Sequence, residues 1–276
     1  SSQPAYWRTG AYDVYTGRGW ERDSSTTPYN GAMDTAGGAS EVRYRVTLTK
    51  SATALPTIWQ PTTVSRDDAI VTEMRALRST TALSPGTEFS ATSVRPPDDP
   101  ALLRESGESY AGAVDEEYTT LTPESAARLT PFVDELTAGD NTAYDKAKTI
   151  ENWLEAEKNY SLNASHGEGD IASEFVFTMD TGYCEYFATS MVAMLRSQDV
   201  PARYVVGYST GERTGDNEYT IRGRNAHAWV EVYFPSAGWV SFDPTPASER
   251  RQQEQASVTA EPTDASEPNR DYAISV

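Results

Sequence analysis

Groups able to run nucleophilic chemistry are scarce in this chain, which holds one cysteine, Cys184, and two histidines, His166 and His227. A lone cysteine makes no internal disulfide and cannot by itself supply a cysteine-rich metal site. It is then a buried apolar filler, a link to another molecule, or a nucleophile. Its flanks favour the nucleophile. Gly182 offers backbone freedom for a turn, and Phe187, Met191 and Met194-Leu195 follow at intervals of three and four, the stripe of a helix. A thiol at a helix N-terminus faces unpaired N–H groups and the positive end of the helix dipole, which favour the thiolate. Such a thiol needs a base and a third group that holds the base. His166 sits in a loop containing Gly, Asp and Glu, the usual setting of a solvated histidine. His227 begins a strand on whose face Trp229, Glu231 and Tyr233 also lie, and it is the better placed partner. A hairpin turning about residues 235–238 sets Asp243 beside the first residues of that strand. Asp243 can therefore orient the imidazole, although an Asp-Pro pair more commonly caps a turn.

The elements that must position these groups can be read around them. Thr122-Pro123-Glu124 has a capping residue, a proline for the first turn and an acid near the dipole's positive end, and it starts a helix reaching residue 136. A second helix is expected over 142–158, with Ala147, Ile150, Trp153-Leu154 and Glu157 at helical spacing. Tyr160-Ser161-Leu162 reads as extended and 163–170 as a polar loop. After the cysteine helix come four strands, over 202–208, 218–222, 227–234 and 239–242, separated by turn residues. Toward the N-terminus, Tyr6-Trp7-Arg8 and Tyr15-Thr16-Gly17-Arg18-Gly19-Trp20 read as short strands around a tight turn. Residues 41–49 alternate cleanly, with Val42, Tyr44, Val46 and Leu48 on one face. The fold class is α+β. A β-rich domain is expected over 1–95, a connector over 96–121, a catalytic domain over 122–248, and an acidic disordered tail or linker over 249–276.

Acidic residues outnumber basic ones 41 to 23 in the 276-residue chain, giving a formal charge of -18. Nineteen arginines stand against four lysines. An acidic, lysine-poor surface resembles that of proteins from salt-loving organisms, where high ionic strength screens self-repulsion; an ordinary acidic secreted protein is the alternative. The same charge argues against a nucleic-acid partner, because no basic stripe exists to neutralise phosphates. No run approaches the ~20 apolar residues of a membrane helix. The chain begins at Ser1 without an initiator methionine, as a piece excised from a longer protein would.

Taken together, Gly182-Tyr183-Cys184-Glu185-Tyr186-Phe187-Ala188, Leu195-Arg196, Val200-Pro201-Ala202-Arg203, Gly207-Tyr208, His227-Ala228-Trp229-Val230-Glu231-Val232 and Gly238-Trp239-Val240-Ser241-Phe242-Asp243-Pro244-Thr245-Pro246 resemble the transglutaminase-like superfamily in order and spacing. Tyr6-Trp7-Arg8, the Tyr15–Trp20 run, Leu55-Pro56 and Trp59-Gln60-Pro61 resemble the extracellular β-domain of membrane-anchored prokaryotic members, here of haloarchaeal type. The resemblance implies a papain-like domain whose nucleophile helix packs on an antiparallel sheet. It makes Cys184 the nucleophile, His227 the general base and Asp243 the orienting acid. It also implies an oxyanion donor beside the Cys184 N–H, for which Tyr160, Tyr183 and Trp153 are the candidates. Trp153 lies on a helix stripe and suits the core better. The implied partner is a protein or peptide substrate whose glutamine carboxamide or peptide amide is attacked, at the outer face of the cell membrane. A protease, an amidase or a non-catalytic interaction module would share the fold. No cofactor or metal is called for, since no calcium loop is present. From the charge balance, the melting temperature should rise with added NaCl or KCl into the molar range; a flat or falling trend in a thermal-melt series would reject halophilic adaptation.

Overall fold

The structure, a computed structural model, describes residues 6–21, 25–31, 40–72, 76–110, 114 and 116–247, and the backbone of 272–275. Its α-helices are α1 (Pro100–Arg104), α2 (Pro123–Leu136), α3 (Ala143–Glu157), α4 (Ile171–Phe177) and α5 (Cys184–Arg196). Each helix start has a local cause. The Thr122 and Thr142 hydroxyls accept the N–H groups of Ser125 and Asp145, and the Asp170 carboxylate accepts that of Ser173. Each bond satisfies a donor that a helix N-terminus leaves without an intrahelical partner. Helix α4 follows directly on the polar loop expected over 163–170, where no helix was expected. Seven residues are too few for a periodic signal, and the Asp170 cap was the cue.

Helix α5 is buried along its length apart from Glu185. A helix apolar all round must be enclosed. Helices α2, α3 and α4 cover one side, and the strands Ala202–Tyr208 and Ala226–Phe234 cover the other. Those strands lie in a four-stranded antiparallel sheet of order Trp7–Tyr12, Ala202–Tyr208, Ala226–Phe234, Gly238–Phe242. Alternation along the strands sends Tyr204, Ala228, Val230 and Val232 into the core around α5. Val205 and Trp229 join Tyr6, Ala11 and Tyr118 in a smaller cluster.

Strand pairing crosses the division expected at residue 95 in both directions. Trp7–Tyr12 pairs along Ala202–Tyr208, from Trp7↔Tyr208 to Tyr12↔Tyr204. Glu212–Gly215 and Glu218–Ile221 join a six-stranded sheet with Tyr272–Ser275, Ser40–Leu48, Glu88–Arg95 and Gln60–Val64. The reason is the edge of the catalytic sheet, whose unpaired N–H and C=O groups need a partner that the N-terminal strand supplies. Gly207 permits the approach, since a Cβ there would lie 1.9 Å from the Trp7 carbonyl oxygen. The expected tail also contributes, because Tyr272–Ser275 pairs with both Glu218–Ile221 and Ser40–Leu48. Residues 249–271 and 276 of that tail lie outside the described residues. A second four-stranded sheet, ordered Thr26–Pro28, Ala69–Thr72, Leu77–Leu83, Ala52–Ala54, completes the β-rich region.

The catalytic sheet carries a buried ionic cluster that ties the N-terminal strand to it. Arg203 Nε donates to Glu231 Oε2 at 2.6 Å, and Arg8 Nε approaches Glu231 Oε1 at 3.8 Å. The Arg203 guanidinium lies 4.0 Å from the Trp239 ring centroid. Burial alone would raise the Glu231 carboxyl, but Arg203 and Arg8 outweigh it and hold it below the ordinary carboxylate range. Removing one partner leaves the other charges buried and uncompensated. Glu231→Ala should therefore destabilise the fold by about 3–5 kcal/mol in urea denaturation; a loss under ~1 kcal/mol would show that the cluster is dispensable.

Candidate active site

Cys184 is the first residue of α5, and the residue that caps the helix, Tyr183, makes no side-chain capping bond. The Tyr186 N–H donates instead to the Tyr183 backbone carbonyl at 2.8 Å. The approach to the helix is held by a short parallel ladder in which Asn159 pairs with Thr181 and Tyr160 with Gly182. The Ser161 N–H donates to the Gly182 carbonyl at 2.8 Å. Gly182 was expected to supply a turn. It serves instead by lacking a side chain, since a Cβ there would fall 2.5 Å from Phe175 Cε2 and 2.9 Å from Tyr186 Cβ. The turn into Cys184 is a space requirement.

His227 is fully buried, and its Nε2 bonds Asp243 Oδ2 at 2.9 Å. The hairpin that brings them together pairs Val230 with Phe242 and Phe234 with Gly238, so Asp243 follows directly at the strand's end. Nδ1 is buried and makes no well-formed hydrogen bond. Burial favours the neutral ring, yet the Asp243 carboxylate, and after it the Cys184 thiol, outweigh that cost and push the imidazole up to about 9. The thiol is therefore within electrostatic reach of the ring. Cys184, His227 and Asp243 come together at one end of α5, with the donor and acceptor types that activate a thiol.

Asp243 is fixed by more than the histidine. The Tyr6 hydroxyl donates to the same Oδ2, and the Tyr6 ring meets the His227 ring edge-on at 5.2 Å. The Thr245 N–H donates to Oδ1 at 3.1 Å. The Asp243 N–H donates to Glu151 Oε1 on α3 at 3.0 Å, and Glu151 also pairs with Lys148. Burial raises the Glu151 carboxyl despite Lys148. Sequence reasoning missed both Tyr6 and Glu151. Tyr6 read as one of many strand aromatics, while Glu151 is an acid beside Ile150 on the buried stripe of α3, a placement that could have marked it.

The other expected site residues divide. Tyr160 lies beside Gly182, its ring stacked on Phe187 at 6.4 Å. Tyr183 meets Tyr186 edge-on at 4.8 Å, and burial, then Glu185, Tyr186 and Cys184, push its hydroxyl up to about 12. Trp153 packs edge-on against Phe132 at 5.1 Å and under Lys158 Nζ at 5.7 Å, away from the thiol. His166 is exposed, its Nδ1 2.7 Å from the Gly167 carbonyl oxygen, and it stands near Tyr186 rather than near Asp243. Among the described residues no group of His, Cys, Asp and Glu could hold a metal ion.

A cysteine opening a buried central helix is set against a histidine on one antiparallel strand and an aspartate just past the end of the next. Residues 130–244 match the family model of the Transglutaminase-like superfamily, and residues 1–100 match that of the TgpA N-terminal domain. The fold is similar to that of the periplasmic domain of TgpA from Pseudomonas aeruginosa, with a TM-score of 0.70 at 23% identity, covering 91% of this chain and 88% of that one. In sequence, the chain is 34% identical over 152 residues to the uncharacterized protein YebA of Bacillus subtilis, covering 52% of this chain and 20% of that protein. It is 39% identical over 87 residues to a protein-glutamine gamma-glutamyltransferase of Pseudomonas aeruginosa, covering 31% of this chain and 13% of that protein. The chain thus spans a fifth or less of the length of these two relatives. The haloarchaeal origin expected from the acidic surface finds no support in them.

The raised imidazole fixes a stability effect with a definite sign. Its pKa is about 9 folded against 6.5 unperturbed, so the histidine's contribution is complete below pH 6.5 and disappears as pH rises through 9. The difference in unfolding free energy between wild type and His227→Gln should be largest near pH 6, on the order of 3 kcal/mol, and shrink toward a constant above about pH 10. Parallel urea titrations at several pH values would measure it, and a difference independent of pH would remove the His227–Asp243 pairing.

Proposed function

We propose that this chain is the catalytic part of an extracytoplasmic cysteine acyltransferase of the transglutaminase type, acting on glutamine carboxamides of proteins. The observation that carries the reading is the convergence of a cysteine on an uncapped helix N-terminus with a buried histidine whose other nitrogen is held by an aspartate. The thiol proton resides on His227 as a thiolate–imidazolium pair, and the Cys184 sulfur attacks the carboxamide carbon. The oxyanion is met by the Cys184 N–H, which as the first helical donor has no partner within the helix, and by a hydroxyl from Tyr160 or Tyr183. The imidazolium then gives its proton to the leaving ammonia, and a thioester remains on Cys184. An amine, deprotonated by His227, attacks the thioester to form an isopeptide and release the thiol. Asp243, held by Tyr6, Thr245 and Glu151, keeps the ring in the tautomer and orientation that both transfers need.

The glutamine substrate is supported by the relative that carries the name protein-glutamine gamma-glutamyltransferase, and the compartment by the fold shared with a periplasmic domain. No helix among the described residues is long and apolar enough to cross a membrane. In this reading the domain belongs to a longer, membrane-anchored protein.

Incorporation of a fluorescent primary amine, dansylcadaverine, into casein tests the proposal. The chain should label casein, Cys184→Ala should abolish labelling, and His227→Ala should lower kcat/KM by at least about a thousandfold while the protein still melts cooperatively. His166→Ala should change the rate less than about threefold. Cleavage of casein without amine incorporation would assign the same triad to a protease. Failure of an iodoacetamide probe to label folded Cys184 faster than a free thiol would reject an activated nucleophile altogether.

A further inference from the structure

Tyr6 stands just before the strand Trp7–Tyr12, inside the stretch that matches the TgpA N-terminal domain and outside the one that matches the transglutaminase-like core. Its hydroxyl donates to Asp243 Oδ2 at 2.5 Å, and His227 Nε2 lies 2.9 Å from that same oxygen. We propose that Tyr6 is a positioning residue of the triad: its hydroxyl occupies part of Asp243 Oδ2 and so limits how firmly the aspartate holds the His227 ring.

Three observations converge on this role. First, the ring is locked in place. Tyr6 is buried, meets the His227 ring edge-on at 5.2 Å and packs on Trp229 at 5.1 Å. A phenylalanine would fill that space as well, so packing accounts for the ring and not for its hydroxyl. Second, strand pairing delivers residue 6 to the histidine. Trp7 pairs with Tyr208, and Tyr208 with Ala226, the residue before His227. Arg8, next along the same strand, is anchored near Glu231. Third, Oδ2 has two claimants while Oδ1 is engaged by the Thr245 N–H. A neutral donor favours the carboxylate's charged form whatever the state of the ring, and so weakens its pull on the imidazolium. The remaining charged groups around the pair lie on α3 and α5. Glu151 and Glu155 act on Asp243 in the opposite sense, Lys148 offsets Glu151, and Cys184 faces the ring. All of them stay in place when only the Tyr6 hydroxyl is removed. The imidazolium must keep its proton through the attack and then release it to the leaving ammonia. An aspartate whose Oδ2 served the ring alone would oppose that release.

The inference deepens the acyl-transfer reading and rests on it only for the proton's destination. With only two histidines in the chain, nitrogen NMR of protein carrying isotope-labelled histidine reads the His227 ring directly, and exposed His166 is the internal control. Tyr6→Phe, which keeps the ring packing, should raise the His227 titration midpoint by at least about half a pH unit and leave His166 unmoved. In the casein assay the alkaline limb of kcat/KM should move up with it, and kcat/KM at neutral pH should fall by about three- to tenfold. Replacing Tyr6 by 3-fluorotyrosine, a stronger donor of nearly the same shape, should lower the midpoint instead, and this serves if the Phe variant fails to melt cooperatively. A midpoint that stays or falls in Tyr6→Phe, or that the fluorinated ring leaves unmoved or raises, overturns the proposal. If the midpoints shift as expected while the wild type incorporates no amine into casein, the Tyr6 role stands and amine transfer falls. Incorporation with unmoved midpoints leaves the reaction standing and removes Tyr6 from it.

Discussion

Enclosing helix α5, buried along its length apart from Glu185, is the constraint that organises the molecule. The C-terminal end is closed by Arg196, whose guanidinium donates to the Ala202 carbonyl at 3.0 and 2.9 Å and to the Thr120 carbonyl at 3.1 Å. That cation sits at the negative end of the dipole and 5.2 Å from the Trp20 ring centroid. Burial pulls it down to about 10, still above any physiological pH. The N-terminal end receives the opposite treatment, with no side chain capping it. The Tyr186 N–H, which a Ser or Asp cap would take, turns to the Tyr183 carbonyl instead.

The strand Ala226–Phe234 combines two electrostatic tasks. His227 and Glu231 point to the same face, four residues apart, with Trp229 between them. Glu231 is neutralised by two arginines and serves to bind strands together. His227 is set between an acid and a thiol, which together favour its charged form. Burial opposes charge at both positions, and the outcome depends on which partners each is given. Tyr6 crosses between the two tasks, because the strand that places Arg8 at Glu231 also places the Tyr6 hydroxyl on Asp243.

Local signals in the sequence were enough to locate α2, α3, α5 and the strands around His227, because caps, prolines and periodicities act over a few residues. The His227–Asp243 adjacency was legible for the same reason, being the consequence of one hairpin. Partnerships spanning the chain were not. Nothing in Tyr6-Trp7-Arg8 distinguishes a strand that stays in its own β-region from one that completes another sheet, and alternation in 272–275 is too brief to stand out from an acidic tail. Glu151 looks like one acid among many on a charged helix until Asp243 arrives to occupy it. Gly182 was read for conformational freedom when the constraint lay in the rings of Phe175 and Tyr186.

The Tyr6–Asp243 contact joins residues 237 positions apart. During synthesis the first of them leaves the ribosome long before its partner exists, and the nucleophile helix also precedes both the histidine and the aspartate. Pairings of such separation are slow to close and form late in folding. A chain truncated before Asp243 therefore holds Cys184 and His227 without the carboxylate that Tyr6, Thr245 and His227 share, and this cluster closes only when residues 237 positions apart have met.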